Sequence, residues 1–268
     1  MARAGGENFP VAMRVLPRNL RRHLLAVYGF ARLVDELGDE AEGDRNALLD
    51  ELEADVDRIY SGDPHHPVLR PLVATVHECG IPRDPFHALI AANRQDQVVS
   101  RYPTYAELEA YCTLSANPVG HFVLYVLGAA TPERIALSDR ICTALQLAEH
   151  WQDVAEDRDR GRIYLPQEDM ARFGVTEDDL SGGLSPGHVR ELMAFEVERA
   201  RRLLDEGSPL VATLSGSGRL AVAGYVGGGY AALDAIESAG FEVLAGPPKA
   251  SKAAKLRATW RVLRKART

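Results

Sequence analysis

Residues 146–166 read QLAEHWQDVAEDRDRGRIYLP and set Glu149, Asp153 and Asp157 four residues apart. On an α-helix that spacing puts all three carboxylates on one face. Stacked like charges repel one another and destabilise an isolated helix. Such a face is therefore solvated, matched by cations, or a metal site. Leu145, Ala148, Trp151 and Gln152 line the other faces, so one helix is expected from about Leu137 to Asp157. Arg158, Arg160 and Arg162 follow at once.

The rest of the chain keeps the same helical rhythm. In residues 18–41, Leu20, Leu24, Val27, Tyr28, Ala31 and Val34 recur at three- and four-residue steps behind Pro17. Near the C-terminal end of that helix lies a second acidic cluster, Asp35-Glu36-Leu37-Gly38-Asp39-Glu40. Carboxylates there meet the unfavourable end of the helix dipole. Arg32, one turn before Asp35, offsets part of the charge. Taken alone, this cluster reads as a solvated helix end.

Residues 44–61 predict another amphipathic helix, with Leu48, Leu49, Leu52, Val56 and Ile59 inward and Gly62-Asp63-Pro64 as its stop. Helices follow over 67–79 and 84–99. The second has Phe86, Leu89, Ile90 and Val98 as candidates for its inner face, with Arg94 and Asp96 near its end. Thr104 and Glu107 have the capping-box spacing for a helix carrying Leu108, Tyr111 and Cys112. Ser115-Ala116-Asn117-Pro118-Val119-Gly120 then breaks the pattern. Pro118 disfavours the helical conformation for Asn117, and the small residues let a ligand or another backbone come close.

Residues 120–130 are apolar enough for a buried helix, and further helices are expected over 186–206 and 208–239. The last of these holds Gly224, Gly227, Gly228 and Gly229 without a GxxxxGK[ST] phosphate-loop pattern, so close helix packing is their expected role. Residues 240–252 form a loop. KAAKLRATWRVLRKART ends the chain as a basic amphipathic helix along which Leu256, Trp260 and Leu263 recur. Two readings stand for it: contact with an anionic membrane surface, or docking on the bundle.

No stretch alternates as a strand does, and no segment repeats. The expected fold is all-α, a single domain over residues 1–268 with 241–268 as its terminal loop and helix. Hydrophobic residues make up 46%, enough for a sizeable core and too many for a disordered chain. A net charge of −7 argues against general nucleic-acid binding. Cys79, Cys112 and Cys142 form no CxxC pair and imply neither zinc nor disulfides, and His65-His66 reads as a surface loop. The start, MARAGGENFPVAM, lacks the apolar run of a signal peptide, and no window holds about 18 uninterrupted apolar residues. The expected location is the cytoplasm, either free or peripheral to the inner face of the membrane.

Magnesium takes oxygen ligands and is held by one or two carboxylates together with substrate phosphates. Acidic faces on two facing helices suit that chemistry. Cations gathered there would neutralise a departing diphosphate, neighbouring arginines would bind the same oxygens, and apolar helix faces would build a hydrocarbon pocket.

At this point the chain resembles the squalene and phytoene synthases, from Asn8 to about Lys255. QLAEHWQDVAEDRDRGRIYLP looks like the second acidic signature of that family, and YGFARLVDELGDE like the first. RYPTYAELEAYC, the AxxVG pattern and GYAALDAIESAGFEVL also match. ENFPVAMRVLP, SANPVG and WQDV are most similar to the bacterial hydroxysqualene synthase branch of hopanoid biosynthesis.

The resemblance implies an isoprenoid-synthase bundle (class I terpenoid synthase-like) with a central pocket. It implies Mg²⁺-dependent ionisation of presqualene diphosphate, and capture of the rearranged cation by water as hydroxysqualene. A presqualene diphosphate synthase and a flavin-dependent reductase would be functional partners. Asp35, Asp39, Asp153 and Asp157 are implied as metal-site acids. Glu36 stands where the family usually has Asp, Glu149 where Asn is usual, and Cys142 at a usual glycine. Tyr28, Asn8, Arg21, Arg32, Gln146 and Tyr164 fall on family positions near the diphosphate or pocket wall, Asn117 on a branch motif, and Arg162 within GRIYLP. Gln152, Glu149 and His150 are candidates for ordering the water. The alternatives are condensation of two prenyl diphosphates by the same fold, or a non-catalytic assembly protein. The four metal-site aspartates argue against the second of these.

Overall fold

The computed structural model describes residues 16–266. The first helix, α1 (Arg18–Asp35), begins directly after Pro17 and buries Leu24, Val27, Phe30, Leu33 and Val34. It does not run to residue 41. At Asp35 the backbone widens into one π turn, Glu36–Glu40, closed by the Ala41 N–H donating to the Glu36 carbonyl at 2.9 Å. Gly38 seats this turn on a later helix: a Cβ there would lie 2.1 Å from Asn93 Oδ1. Gln97 Nε2 fastens it by donating to the Gly38 carbonyl at 2.8 Å.

Local chemistry fixes the next boundaries. The Asp44 side chain accepts from the Ala47 N–H at 3.1 Å and opens α2 (Arg45–Ile59). Gly80, at φ 65°, closes α3 (Arg70–Cys79), as a residue free of Cβ strain can. In α4 (Asp84–Gln95), Phe86, Leu89 and Ile90 are buried as expected. Val98 is not: the helix stops at Gln95, the chain turns, and Val98 is left 81% exposed. Both halves of the capping box at Thr104 and Glu107 form, starting α5 (Tyr105–Ser115). After a break at Ala116, α6 (Asn117–Val126) carries Pro118 in its first turn.

The central helix is α7 (Pro132–Gln152). The expected continuation to Asp157 is interrupted at Asp153 (φ −105°, ψ 18°), and α8 (Val154–Asp159) follows. The hydrogen-bond ladder still crosses the break: the Asp153 N–H donates to Glu149 and the Asp157 N–H to Asp153, at 3.0 and 2.8 Å. The interruption therefore reorients the helix without severing it. Beyond it lie α9 (Gln167–Phe173), α10 (Gly187–Gly207), α11 (Leu210–Thr213) and α12 (Gly216–Ser238). The single helix expected over 208–239 is thus two, parted before Gly216, whose φ of 55° favours glycine.

α7 packs against α6, α10 and α12, with Leu147 and Trp151 fully enclosed. The glycines of α12 divide by role. Cβ atoms on Gly229 and Gly227 would lie 2.7 Å from Leu145 and 2.5 Å from the Thr259 backbone, whereas one on Gly224 would meet nothing. Thr259 belongs to the terminal helix α13 (Lys252–Lys265), which docks on α12 through buried Ala258 and Val262. No β-strand occurs among the described residues. One isolated bridge joins Arg101 to Ile163.

Candidate active site

The two acidic segments meet. Arg162 Nη2, from the segment after α8, donates to Asp39 Oδ1 of the π turn at 3.1 Å. Arg162 is held in place by its neighbours. Gly161, at φ 81°, makes the turn, its carbonyl accepts from Arg101 Nη1 at 2.7 Å, and the Ile163 N–H donates to the Ser100 carbonyl at 3.0 Å. Burial works against the Arg162 charge, but Tyr164, Asp96 and Asp39 outweigh it and hold the guanidinium firmly protonated. On α1, Arg32 pairs with Asp35 at 3.5 Å, with both side chains about half exposed.

His150 lies inside α7, buried, between two predicted site residues. Gln146 Nε2 donates to His150 Nε2 at 3.0 Å, and His150 Nδ1 faces Asp157 Oδ2 at 3.6 Å. With the amide as donor, the imidazole proton sits on Nδ1 and points at the carboxylate. The ring stacks on Tyr164, centroids 3.7 Å apart and planes 15° apart. Tyr164 in turn faces Tyr102 and Tyr111 at 5.9 and 6.0 Å, so four rings form one wall. Burial pushes the Tyr164 hydroxyl up to about 12 and keeps it neutral.

Asp96 stands behind this wall, where the sequence pattern gave no reason to place it. The Tyr111 hydroxyl donates to its Oδ2 at 2.9 Å, while its Oδ1 is buried without a hydrogen bond. Burial pushes its carboxyl up to about 6, against the pull of Arg162 and of the Tyr111 hydrogen bond. A buried polar atom left unpaired is rare enough to need a role.

The other predicted residues fall in several places. Asp153 sits at the helix break and Glu149 one turn earlier, exposed on the same side. Glu36 is exposed on the π turn, and Tyr28 is half-buried on α1. Asn117 Oδ1 accepts from Thr143 at 3.1 Å, one turn from Gln146, so it reaches the site only along α7. Gln152 donates through Nε2 to the Pro248 carbonyl. Arg21 donates to the Leu16 carbonyl at 3.0 Å. Asn8 lies outside the described residues.

Among the described residues no three His, Cys, Asp or Glu side chains converge closely enough to hold a metal by themselves. The donor set nevertheless fits magnesium. It is all oxygen, and magnesium keeps its waters and needs one or two carboxylates beside phosphate. His150, Val154, Asp157, Arg162, Ile163, Tyr164 and Leu165 enclose a cavity of about 10 Å³, room for one water. A prenyl chain enters at this point only if those side chains move.

The family model for squalene/phytoene synthase matches residues 2–262. The 15-cis-phytoene synthase of Synechocystis sp. is 34% identical over 227 residues, covering 80% of this chain and 67% of that protein. The structure of squalene synthase HpnC from Alicyclobacillus acidocaldarius superposes with a TM-score of 0.85. It is 42% identical and covers 91% of this chain and 92% of its own. A dehydrosqualene synthase solved in complex with a ligand gives a TM-score of 0.89 at 26% identity, covering 98% and 93%. The helices described above are therefore an isoprenoid-synthase bundle, and the chain belongs to the squalene/phytoene synthase family.

Proposed function

We propose that the chain converts presqualene diphosphate and water to hydroxysqualene and diphosphate with Mg²⁺ bound, in squalene and hopanoid formation. The observation that carries this reading is the Arg162–Asp39 contact, which joins both acidic segments at one place. The likeness to a squalene synthase at 42% identity over 91% of the chain supports the branch.

Magnesium, held by Asp35, Asp39, Asp153 and Asp157 with Glu36 and Glu149 beside them, would supply charge neutralisation for the diphosphate. Arg162 adds a fixed cation for the same oxygens, its guanidinium already oriented by Asp39. As the carbon–oxygen bond breaks, its electron pair leaves on the diphosphate. The faces of Tyr102, Tyr111 and Tyr164 then line the cation and exclude bulk water. One water adds to the rearranged cation and loses a proton. Asp96 Oδ1 is the acceptor we assign, because it carries no other hydrogen bond and its acidity sits close to neutrality.

A second reading has support of its own. The phytoene synthases of Synechocystis sp. and Arthrospira platensis are 34% and 36% identical to this chain, which favours condensation of two prenyl diphosphates. One experiment separates the two: product analysis with presqualene diphosphate and Mg²⁺, beside farnesyl diphosphate and Mg²⁺, each with and without a nicotinamide reductant. The proposal expects an alcohol from presqualene diphosphate in both reductant states and no consumption of farnesyl diphosphate. Squalene formed only with reductant, or condensation of farnesyl diphosphate, would overturn it.

A further inference from the structure

The outer side of α13 is used by neither the core nor the site. Its inner side is fixed: Ala258 and Val262 are buried, Gly227 lets the Thr259 backbone approach, and Arg219 Nη2 donates to the Ala266 carbonyl at 2.9 Å. Its outer side carries Leu256, 72% exposed, and Trp260, 60% exposed, one helical turn apart. Arg257, Arg261 and Arg264 stand exposed beside them, and the Arg264 guanidinium lies 4.6 Å over the Trp260 ring. Lone exposed apolar residues are ordinary on any protein. Here two are paired on one face, within a field of one sign. Residues 243–268 contain 8 of the 31 Lys and Arg and none of the 38 Asp and Glu, in a chain whose net charge is −7.

We propose that this face docks on an anionic lipid bilayer. Leu256 and Trp260 enter at headgroup level, and Arg257, Arg261 and Arg264 meet the lipid phosphates. Leu and Trp between cationic side chains are the composition of helices that lie in the membrane interface. A single sign of charge along a rigid, docked helix matches the continuous negative surface of such a bilayer. No helix among the described residues is long and apolar enough to cross a membrane, so the contact is made from one side. The preceding loop ties this face to the site, since the Pro248 carbonyl accepts from Gln152, the neighbour of Asp153. Docking would hold that loop at the lipid surface, where a substrate with a long apolar tail resides. This last step rests on the proposed reaction; the lipid contact does not.

The test uses the full chain and vesicles of phosphatidylcholine, with or without about one-third phosphatidylglycerol, in a sedimentation assay. Tryptophan emission supplies a second readout. Trp151 is fully buried, so a blue shift on binding reports Trp260. The anionic vesicles are expected to bind the chain and the neutral ones to bind it far more weakly. Each arginine contributes about fivefold, so Arg257→Gln/Arg261→Gln/Arg264→Gln should bind on the order of 100-fold more weakly. Leu256→Ser, which keeps the reporter, should weaken sedimentation and blue shift together, and Leu256→Ser/Trp260→Ser should lose sedimentation, with unchanged melting temperatures because neither residue lies in the core.

Absence of binding to anionic vesicles at low salt overturns the proposal, as does equal binding to neutral ones. So does a lipid-free dimer abolished by Leu256→Ser/Trp260→Ser, which would give the face to a second copy. A chain that binds these vesicles yet leaves presqualene diphosphate unchanged would fail the proposed reaction and uphold this surface.

Discussion

The Tyr111 hydroxyl donates to Asp96 Oδ2 at 2.9 Å, and that bond joins α5 to the end of α4 directly behind the aromatic wall. Asp96 is thereby held with one oxygen paired and the other buried without a hydrogen bond. If it accepts the proton from water, Asp96→Asn should lower kcat by about 100-fold or more with little change in KM. In the parent enzyme kcat should fall as pH drops through about 6, where burial has pushed the carboxyl. A variant that keeps the parent's rate and acid limb would remove Asp96 from the mechanism.

The same residue sets a stability signature. Its folded carboxyl titrates above the unfolded one, so the native state binds the proton more tightly. The stabilisation is complete below about pH 4 and is lost as pH rises through about 6. Asp96→Asn should therefore flatten that decline, by an amount on the order of 2 kcal/mol. Chemical denaturation of both proteins at pH 4 and pH 7 measures it.

Tyr111→Phe leaves the stacked ring and removes the hydroxyl. The Asp96 carboxylate then loses the hydrogen bond at Oδ2, and its acidity should weaken further. The expected result is a shift of the acid limb to higher pH, with activity at pH 7 lowered by about tenfold. An unmoved limb would mean that the two groups act separately.

Arg162 and Asp39 should behave as one unit. Each single substitution, Arg162→Gln or Asp39→Asn, removes the contact between the two acidic segments and with it the partner's orientation. A double-mutant cycle on kcat/KM should therefore return a coupling of about 1–2 kcal/mol. Additive losses would show that the contact is incidental.

Gly38→Ala tests the π turn. The new Cβ would fall 2.1 Å from Asn93 Oδ1 and 2.8 Å from its Cγ, so the turn must lift or Asn93 must move. A loss of about 1–3 kcal/mol is expected, together with reduced activity as Asp39 shifts. Asn93→Ser in the same chain should recover most of both, because the obstruction is a side chain. Thermal melts and rates of the parent and the two variants decide it.

What the sequence disclosed was local. The capping box at Thr104 and the apolar faces of α1 and α2 each depend on neighbours a few residues away, and each appears as expected. The acidic faces were legible for the same reason. Asp96 was not, because its surroundings are assembled from Tyr111, Arg162 and Tyr164, distant in the chain until Ile163 pairs with Ser100. The π turn depends on Asn93, far from Gly38. The break at Asp153 has no glycine or proline to announce it. Along α13 the periodicity was plain, but which side faces water was decided by Gly227 on another helix.

The break at Asp153 and the end of α1 at Asp35 share a geometry with a thermodynamic outcome. In both places carboxylates gather where an α-helix gives way to another backbone geometry: Glu149 and Asp153 at one, Asp35 and Asp39 at the other. Like charges set one turn apart oppose one another, and a divalent cation bound between them relieves that opposition. By mass action the protein's stability is then a function of cation concentration, rising as the logarithm of magnesium above its dissociation constant. Melting temperature should climb with MgCl₂ and not with NaCl of equal ionic strength. Asp153→Asn should both raise the magnesium-free value and blunt the climb.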